Sequence, residues 1–210
     1  GKGIKPVIGC DVWISNDNER DKAHRLLLLA QSRAGYLRLS QLLSRAWLEN
    51  QHRGRAELRR EWFDETGTEG LIALSGAAGG DVGTALVQDN LKQAEKLARA
   101  WAKRFPGRYY LEVQRTGTAQ NEAQVRGAVK LARKLKLPLV ATHPVQFVEP
   151  DDYTAHEARV CISEGYVMSD QRRPRAFSEA NYFPTQAEMA ERFADLPAAL
   201  ANAVEIARRC

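Results

Sequence analysis

The run Tyr109-Tyr-Leu-Glu-Val113, the repeat Val125, Ala128, Val129, Ala132, Leu135, and the run Pro138-Leu-Val-Ala141 follow one another in the middle of the chain. The first and last are short, apolar and closed by turn-forming residues, so they read as strands. The middle segment places its apolar residues at the three- and four-residue spacing of a helix, which must stop before Pro138. Strand, helix, strand in this rhythm implies parallel strands with helices laid over them. The same rhythm extends outward. Pro6 to Ile14, Arg25 to Ala30 and Leu71 to Leu74 read as further strands. Leu91 to Phe105 reads as a helix with Leu91, Ala94, Leu97, Ala98, Trp101 and Phe105 on its apolar side. A mainly parallel sheet covered by helices follows. Five strands are too few to close an eight-fold barrel, so the sheet is open or lacks strands at an end.

Helix starts are marked by Thr154-x-x-Glu157 and Thr185-x-x-Glu188, both with capping-box spacing. Asp195 precedes a last helix with Leu200, Ala203, Val204 and Ala207 on one face. Asn50 to Gly70 is irregular and charged, with Trp62 and Phe63 its only large apolar residues, and reads as a helical arm inserted over the sheet. No repeat or linker divides the chain.

With 210 residues, 44% hydrophobic and 27% charged, the chain has the make-up of an ordinary globular domain rather than a disordered or fibrous one. Its apolar stretches are too short to cross a bilayer, and no secretory leader opens it, so a cytoplasmic protein with no membrane partner is expected. Cys10, Cys161 and Cys210 are odd in number and far apart, which argues for reduced thiols and against a disulfide framework. The net charge of +5 suits a nucleic-acid partner. Its cations are spread along helical segments and mixed with Glu, as in Glu95-Lys96, Arg99 and Lys103, which reads as solvated helix faces. Arg172, Arg173 and Arg175 form the densest local candidate for a phosphate-facing stripe.

No spacing spells a complete catalytic signature. Gly76-Ala-Ala-Gly-Gly-Asp81 lacks the lysine and hydroxyl ending of a phosphate-gripping loop, and reads as a strand-to-helix turn capped by Asp81. Asp151-Asp152 suits a helix start better than a two-metal site. Of the histidines His24, His52, His143 and His156, His24 opens one strand and His143 follows another, so both can reach one rim of a sheet, with Asp11 joining if it points inward. His156 and Cys161 are five apart and share no helix face.

The segment Lys5-Pro-Val-Ile-Gly-Cys-Asp11 resembles the K-P-I-I-G-x-E stretch in the PHP domain of the bacterial DNA polymerase III alpha-subunit family, the C-family replicative polymerases. His24-Arg-Leu-Leu-Leu-Leu-Ala30 with Gly35-Tyr-Leu-Arg-Leu39, Leu71-Ile-Ala-Leu-Ser-Gly76, Phe105-Pro-Gly-Arg-Tyr-Tyr-Leu-Glu112 with Gln114-Arg-Thr-Gly117, Leu137-Pro-Leu-Val-Ala-Thr142, and Tyr182-Phe-Pro-Thr185 with Ala199 to Ala207 resemble later blocks of that family, in the same order. The resemblance implies an incomplete, distorted PHP-type (β/α) barrel over residues 1–194, lacking its N-terminal strands and the H-x-H-x-H segment they carry. Residues 195–210 would be a helix leading toward the polymerase palm domain.

Carried over position by position, the resemblance places Asp11 and His24 at metal-ligand positions. It places Ala77, Pro144 and Gln146 where family members carry Cys, Asp and His. Alanine and proline offer no side-chain donor, and an amide is a poor substitute for imidazole. The resemblance therefore implies a degenerate, metal-free domain with no catalytic residue or cofactor of its own. It would serve as a scaffold that docks the proofreading exonuclease subunit. The parent would be a DNA-directed DNA polymerase, a nucleotidyltransferase using Mg in another domain, meeting primed DNA and other replicase subunits. The alternative is an active metal-dependent phosphoesterase or 3′–5′ exonuclease working through Asp11, His24 and His143.

Overall fold

The computed structural model describes residues 3–210. Among these residues seven strands form one sheet: β1 (Gly9–Ile14), β2 (His24–Ala30), β3 (Gln51–His52), β4 (Arg55–Leu58), β5 (Leu71–Leu74), β6 (Tyr109–Val113) and β7 (Leu139–Ala141), in the order β3-β4-β1-β2-β5-β6-β7. The sheet is open, with β3 and β7 at its two ends.

The pairing is mixed, which corrects the mainly parallel reading. β1–β4, β5–β6 and β6–β7 are parallel, whereas β1–β2, β2–β5 and β3–β4 are antiparallel. The stretch between β1 and β2 holds no helix. A parallel return needs a crossover of a dozen or more residues, so this short link forces a hairpin.

Asn50 to Gly70 is not an arm over the sheet. It supplies β3, β4 and the short helix α2 (Arg60–Thr66), after the long helix α1 (Arg33–Glu49). β4 joins the sheet beside β1. β3 is a two-residue polar pair, and the alternation of β4 spans only four residues with Ala56 and Leu58 as its apolar positions, so the strand signal was weak. The buried Glu57 takes its place in β4 because Ser15 Oγ donates to it at 3.0 Å and Arg55 Nη2 at 2.8 Å.

Local chemistry sets the remaining helices. In α1 the Ser32 hydroxyl accepts from the Gly35 N–H at 3.1 Å, and Gly35, Leu39, Leu42 and Ala46 form the buried stripe. The helix after β5 is short, α3 (Asp81–Val87), and is followed by α4 (Leu91–Arg104), where Asn90 caps Gln93 N at 3.1 Å. α5 (Ala119–Leu135) ends at Lys136, whose φ of 54° lies in the left-handed region, two residues before Pro138.

Two apolar layers result. The larger packs α1 and α3 to α5 on one face of the sheet through Val12, Ile14, Leu26, Leu28, Leu111 and Val113. Phe63, Trp101 and Phe105 meet there with ring centroids 5.6–6.2 Å apart. Full burial of each such side chain contributes roughly 1.5–3 kcal/mol, offset by the entropy of ordering it. On the other face, Ile72, Leu74, Tyr110 and Val140 meet Ile206 of the last helix, α8 (Pro197–Arg209). α8 also guards the outer edge of β7, where Asn202 Nδ2 donates to the Leu139 carbonyl at 2.7 Å. Its packed side is Ala199, Ala203 and Ile206, whereas Val204 and Ala207 face solvent, contrary to the expected stripe.

Beyond the sheet lie α6 (Tyr153–Glu164) and α7 (Gln186–Arg192). The Thr185–Glu188 capping box is present. The Thr154–Glu157 box is not, because α6 begins at Tyr153, which puts Thr154 inside its first turn, and Glu157 is buried against Arg173. Asp152 instead accepts from the Glu149 N–H at 3.1 Å in the 3-10 turn Pro150–Asp152, consistent with a helix-start role for this pair.

Candidate functional site

Parallel strands deliver side chains to the rim at their carboxyl ends, and here β5, β6 and β7 do so together. Antiparallel β2 brings its first residues, His24 and Arg25, to the same rim, because Leu27 pairs with Leu74 near the end of β5. The centre of the rim is Glu112, only 1% exposed. Its carboxylate accepts from the Gly76 N–H at 3.0 Å, from Gln114 Nε2 at 3.0 Å and from the Thr142 hydroxyl. Burial raises the Glu112 pKa, and the hydrogen bond from Thr142 and the charge of Arg25 pull the other way. The sequence signal for this residue is a carboxylate inside an otherwise apolar strand, which only a buried, partnered acid explains.

Asp11 and His24 do not meet. Successive side chains on a strand point to opposite faces, and directly paired residues share a face. Asp11 pairs with Leu27, and Leu27 packs with the layer under α8. His24 pairs with Ile14 and belongs to the opposite face, with Leu26 and Leu28. Asp11 is held by Arg25, whose Nε donates to Oδ1 at 2.8 Å. His24 lies near Asp81 and Arg60. Burial lowers its pKa, the Asp81 charge raises it and the Arg60 charge lowers it further.

Asp81 does not cap its helix from the preceding position. It is the first residue of α3, buried, and accepts from Trp101 Nε1 at 2.9 Å and from Arg60 Nη2 at 2.9 Å. Ala77, in the 3-10 turn before it, is buried and offers no donor.

His143 sits just past β7 with both ring nitrogens engaged. Nε2 donates to the Ala180 carbonyl at 2.7 Å, and Nδ1 accepts from Arg192 Nη1 at 3.3 Å. Burial lowers its pKa, partly opposed by the Ala180 contact. Pro144 and Gln146 are fixed through their backbones, the Pro144 carbonyl accepting from Asn181 Nδ2 and the Gln146 N–H donating to the Asn181 carbonyl, each at 2.8 Å. His52 is remote, on β3, bonded to Asp21 at 2.6 Å. His156 is wedged between the rings of Phe147 and Phe177, at 5.3 and 4.9 Å, while Cys161 faces Met168. Cys10, Cys161 and Cys210 are all free thiols.

The three arginines of the 172–175 stretch do not form a stripe. Arg173 points inward to a buried ion pair with Glu157, and Arg172 is tied to Asp170 at 2.9 Å, leaving Arg175 as the third. Neighbouring residues in a loop need not share a side, and the buried carboxylate claims the middle one.

The rim as a whole offers carboxylates already occupied by an arginine, by amide and hydroxyl donors and by a backbone N–H. Among the described residues, no three His, Cys, Asp or Glu side chains gather as a set able to hold a metal ion. Among the described residues, no helix is long and apolar enough to cross a membrane.

Known proteins share this chain throughout its length. The PHP domain family matches residues 1–116. The DNA polymerase III subunit alpha of Pseudomonas aeruginosa is 48% identical over the whole chain, that of Neisseria meningitidis serogroup B is 49% identical over 99% of it, and that of Escherichia coli K12 is 41% identical over all of it. In each case the chain spans about 18% of the relative's length. The chain therefore belongs to the DNA polymerase III subunit alpha family and carries the PHP-domain region of that family.

Proposed function

We propose that this chain works as a metal-free scaffold within a DNA-directed DNA polymerase, and that it docks a proofreading exonuclease subunit rather than hydrolysing phosphoesters itself. In this reading the open sheet is part of an incomplete (β/α) barrel, the polymerase chemistry and its Mg lie in other domains, and the whole works on primed DNA in the cytoplasm. The observation that carries the reading is the placement of Asp11 and His24. They stand on opposite faces of one hairpin, and Asp11 is occupied by Arg25. A metal cluster needs several donors converging on one point with free lone pairs. Here Ala77 has none, His143 has spent both nitrogens, and Arg25 already brings a positive charge to Asp11 and Glu112. The donor set does not fit a zinc or manganese cluster.

Docking is tested with the intact alpha subunit containing this chain. Affinity capture with the cognate exonuclease subunit is expected to retain it, and exchange of residues 3–210 for a metal-binding PHP domain is expected to abolish capture. Retention unchanged by that exchange places the contact elsewhere and defeats the docking reading.

A further inference from the structure

The cations of this chain are not spread as its sequence suggests. α4 carries Lys92, Lys96, Arg99, Lys103 and Arg104 against one carboxylate, Glu95. α5 and its terminal residue carry Arg126, Lys130, Arg133, Lys134 and Lys136 against one, Glu122. These two segments hold a formal charge of +8, while the chain totals +5, so everything else together is −3. The two helices are joined at the surface by Glu95, which accepts from Lys134 Nζ at 2.6 Å and from Arg99 Nη2 at 2.9 Å. Lys92, Lys96, Lys103, Arg126, Lys130 and Arg133 are exposed, and none of them is ion-paired among the described residues. Within α4 the spacing 92, 96, 99, 103 puts its cations along one side, opposite the buried Ala94, Ala98 and Trp101.

We infer that the α4–α5 face binds the phosphate backbone of duplex nucleic acid without reading its sequence. This inference stands apart from the metal-free scaffold reading, since it uses no residue of the rim. Unpaired lysines on an outer helix face cost little to keep in water, but they neutralise phosphates with release of counterions, the main source of non-specific affinity. The composition of the face separates this partner from two others. Single strands are held by aromatic platforms, yet α5 has no aromatic residue and Trp101, the only one on α4, is buried. Protein hot spots are centred on buried aromatic or arginine anchors in apolar pockets, whereas this face is a run of solvated cations.

The test is fluorescence anisotropy of a labelled duplex DNA oligonucleotide with the 210-residue chain, across a salt series. Log affinity is expected to fall linearly with log salt. The combined variant Lys96→Gln, Lys103→Gln, Lys130→Gln, Arg133→Gln should bind at least about tenfold more weakly at low salt, with the slope reduced by up to about 3.6 if all four contact phosphates. Glutamine keeps the helix propensity of these exposed sites, and a matched thermal melt verifies the fold. The variant Arg172→Gln, Arg175→Gln should bind like the parent. Unchanged affinity and slope in the four-fold variant overturns the inference. So does tighter binding of single-stranded DNA, or of polyglutamate of equal charge, the latter pointing to an acidic protein partner.

Discussion

Arg25 reaches across the β1–β2 hairpin to Asp11, Nε to Oδ1 at 2.8 Å, and its charge extends to the buried Glu112. An arginine thus supplies positive charge on the sheet face where Asp11 and Glu112 both lie. The pair itself is half-open to solvent, so its own contribution is small, about 0.5 kcal/mol or less after screening. We predict that Arg25→Met lowers stability mainly through Glu112, which loses its nearby cation. The Glu112 pKa should rise further in this variant, seen by NMR titration of the labelled carboxyl. A Glu112 titration indistinguishable from that of the parent would show that Arg25 does not act on it.

Glu112 gives a pH prediction with a definite sign. Its pKa in the folded chain is raised by burial, so the folded state holds this proton more tightly than the unfolded chain. Its contribution is therefore complete below the ordinary glutamate pKa and is lost as pH rises through the higher folded value. Glu112→Gln removes that loss. Urea unfolding from pH 4 to 7 should show the variant gaining stability relative to the parent as pH increases. A constant difference across that range contradicts the assignment.

Asp81 holds Trp101 and Arg60 at once, at 2.9 Å each, in a site 6% exposed. Asp81→Ala strands an indole N–H and leaves a guanidinium short of its carboxylate, which should cost about 3–5 kcal/mol. Asp81→Asn keeps acceptors for the indole and should cost less. A loss of unfolding free energy in urea of under about 1 kcal/mol for the alanine variant would falsify this account of Asp81.

Gly35 sits where α1 passes the Gly70 backbone. A Cβ there would lie 1.8 Å from the Gly70 carbonyl oxygen, with no flexible side chain to give way. Gly35→Ala should displace the start of α1 and destabilise by about 1–3 kcal/mol or more, despite alanine's better helix propensity. Thermal unfolding decides it, and a stabilised variant would mean the two backbones are not in contact.

The legibility of this fold in its sequence tracks how local each cause is. Leu71–Leu74 and Tyr109–Val113 were readable to the residue, because an apolar run bounded by turn residues is a local signal. Thr185 and Glu188 formed their box for the same reason. Strands β3 and β4 were hidden, since Glu57 becomes strand-compatible only through Ser15 and Arg55. Glu157 was misread because a distant arginine, Arg173, outcompetes the local cap. At the rim, Asp11 and His24 could be named from sequence, but their separation could not. It depends on the β1–β2 register, in which Ile14 opposes His24. The basic face was missed because Glu95 and Lys96 look balanced in one dimension, while in three Glu95 is spent joining two positive helices.

On the scaffold reading proposed above, the rim holds no metal cluster. Elemental analysis of the intact alpha subunit containing this chain, purified without chelator, tests it most directly, with Asp11→Ala alongside. The account predicts no stoichiometric zinc, manganese or iron in either protein. Two or more such ions per polypeptide in the parent, lost from Asp11→Ala, would contradict it.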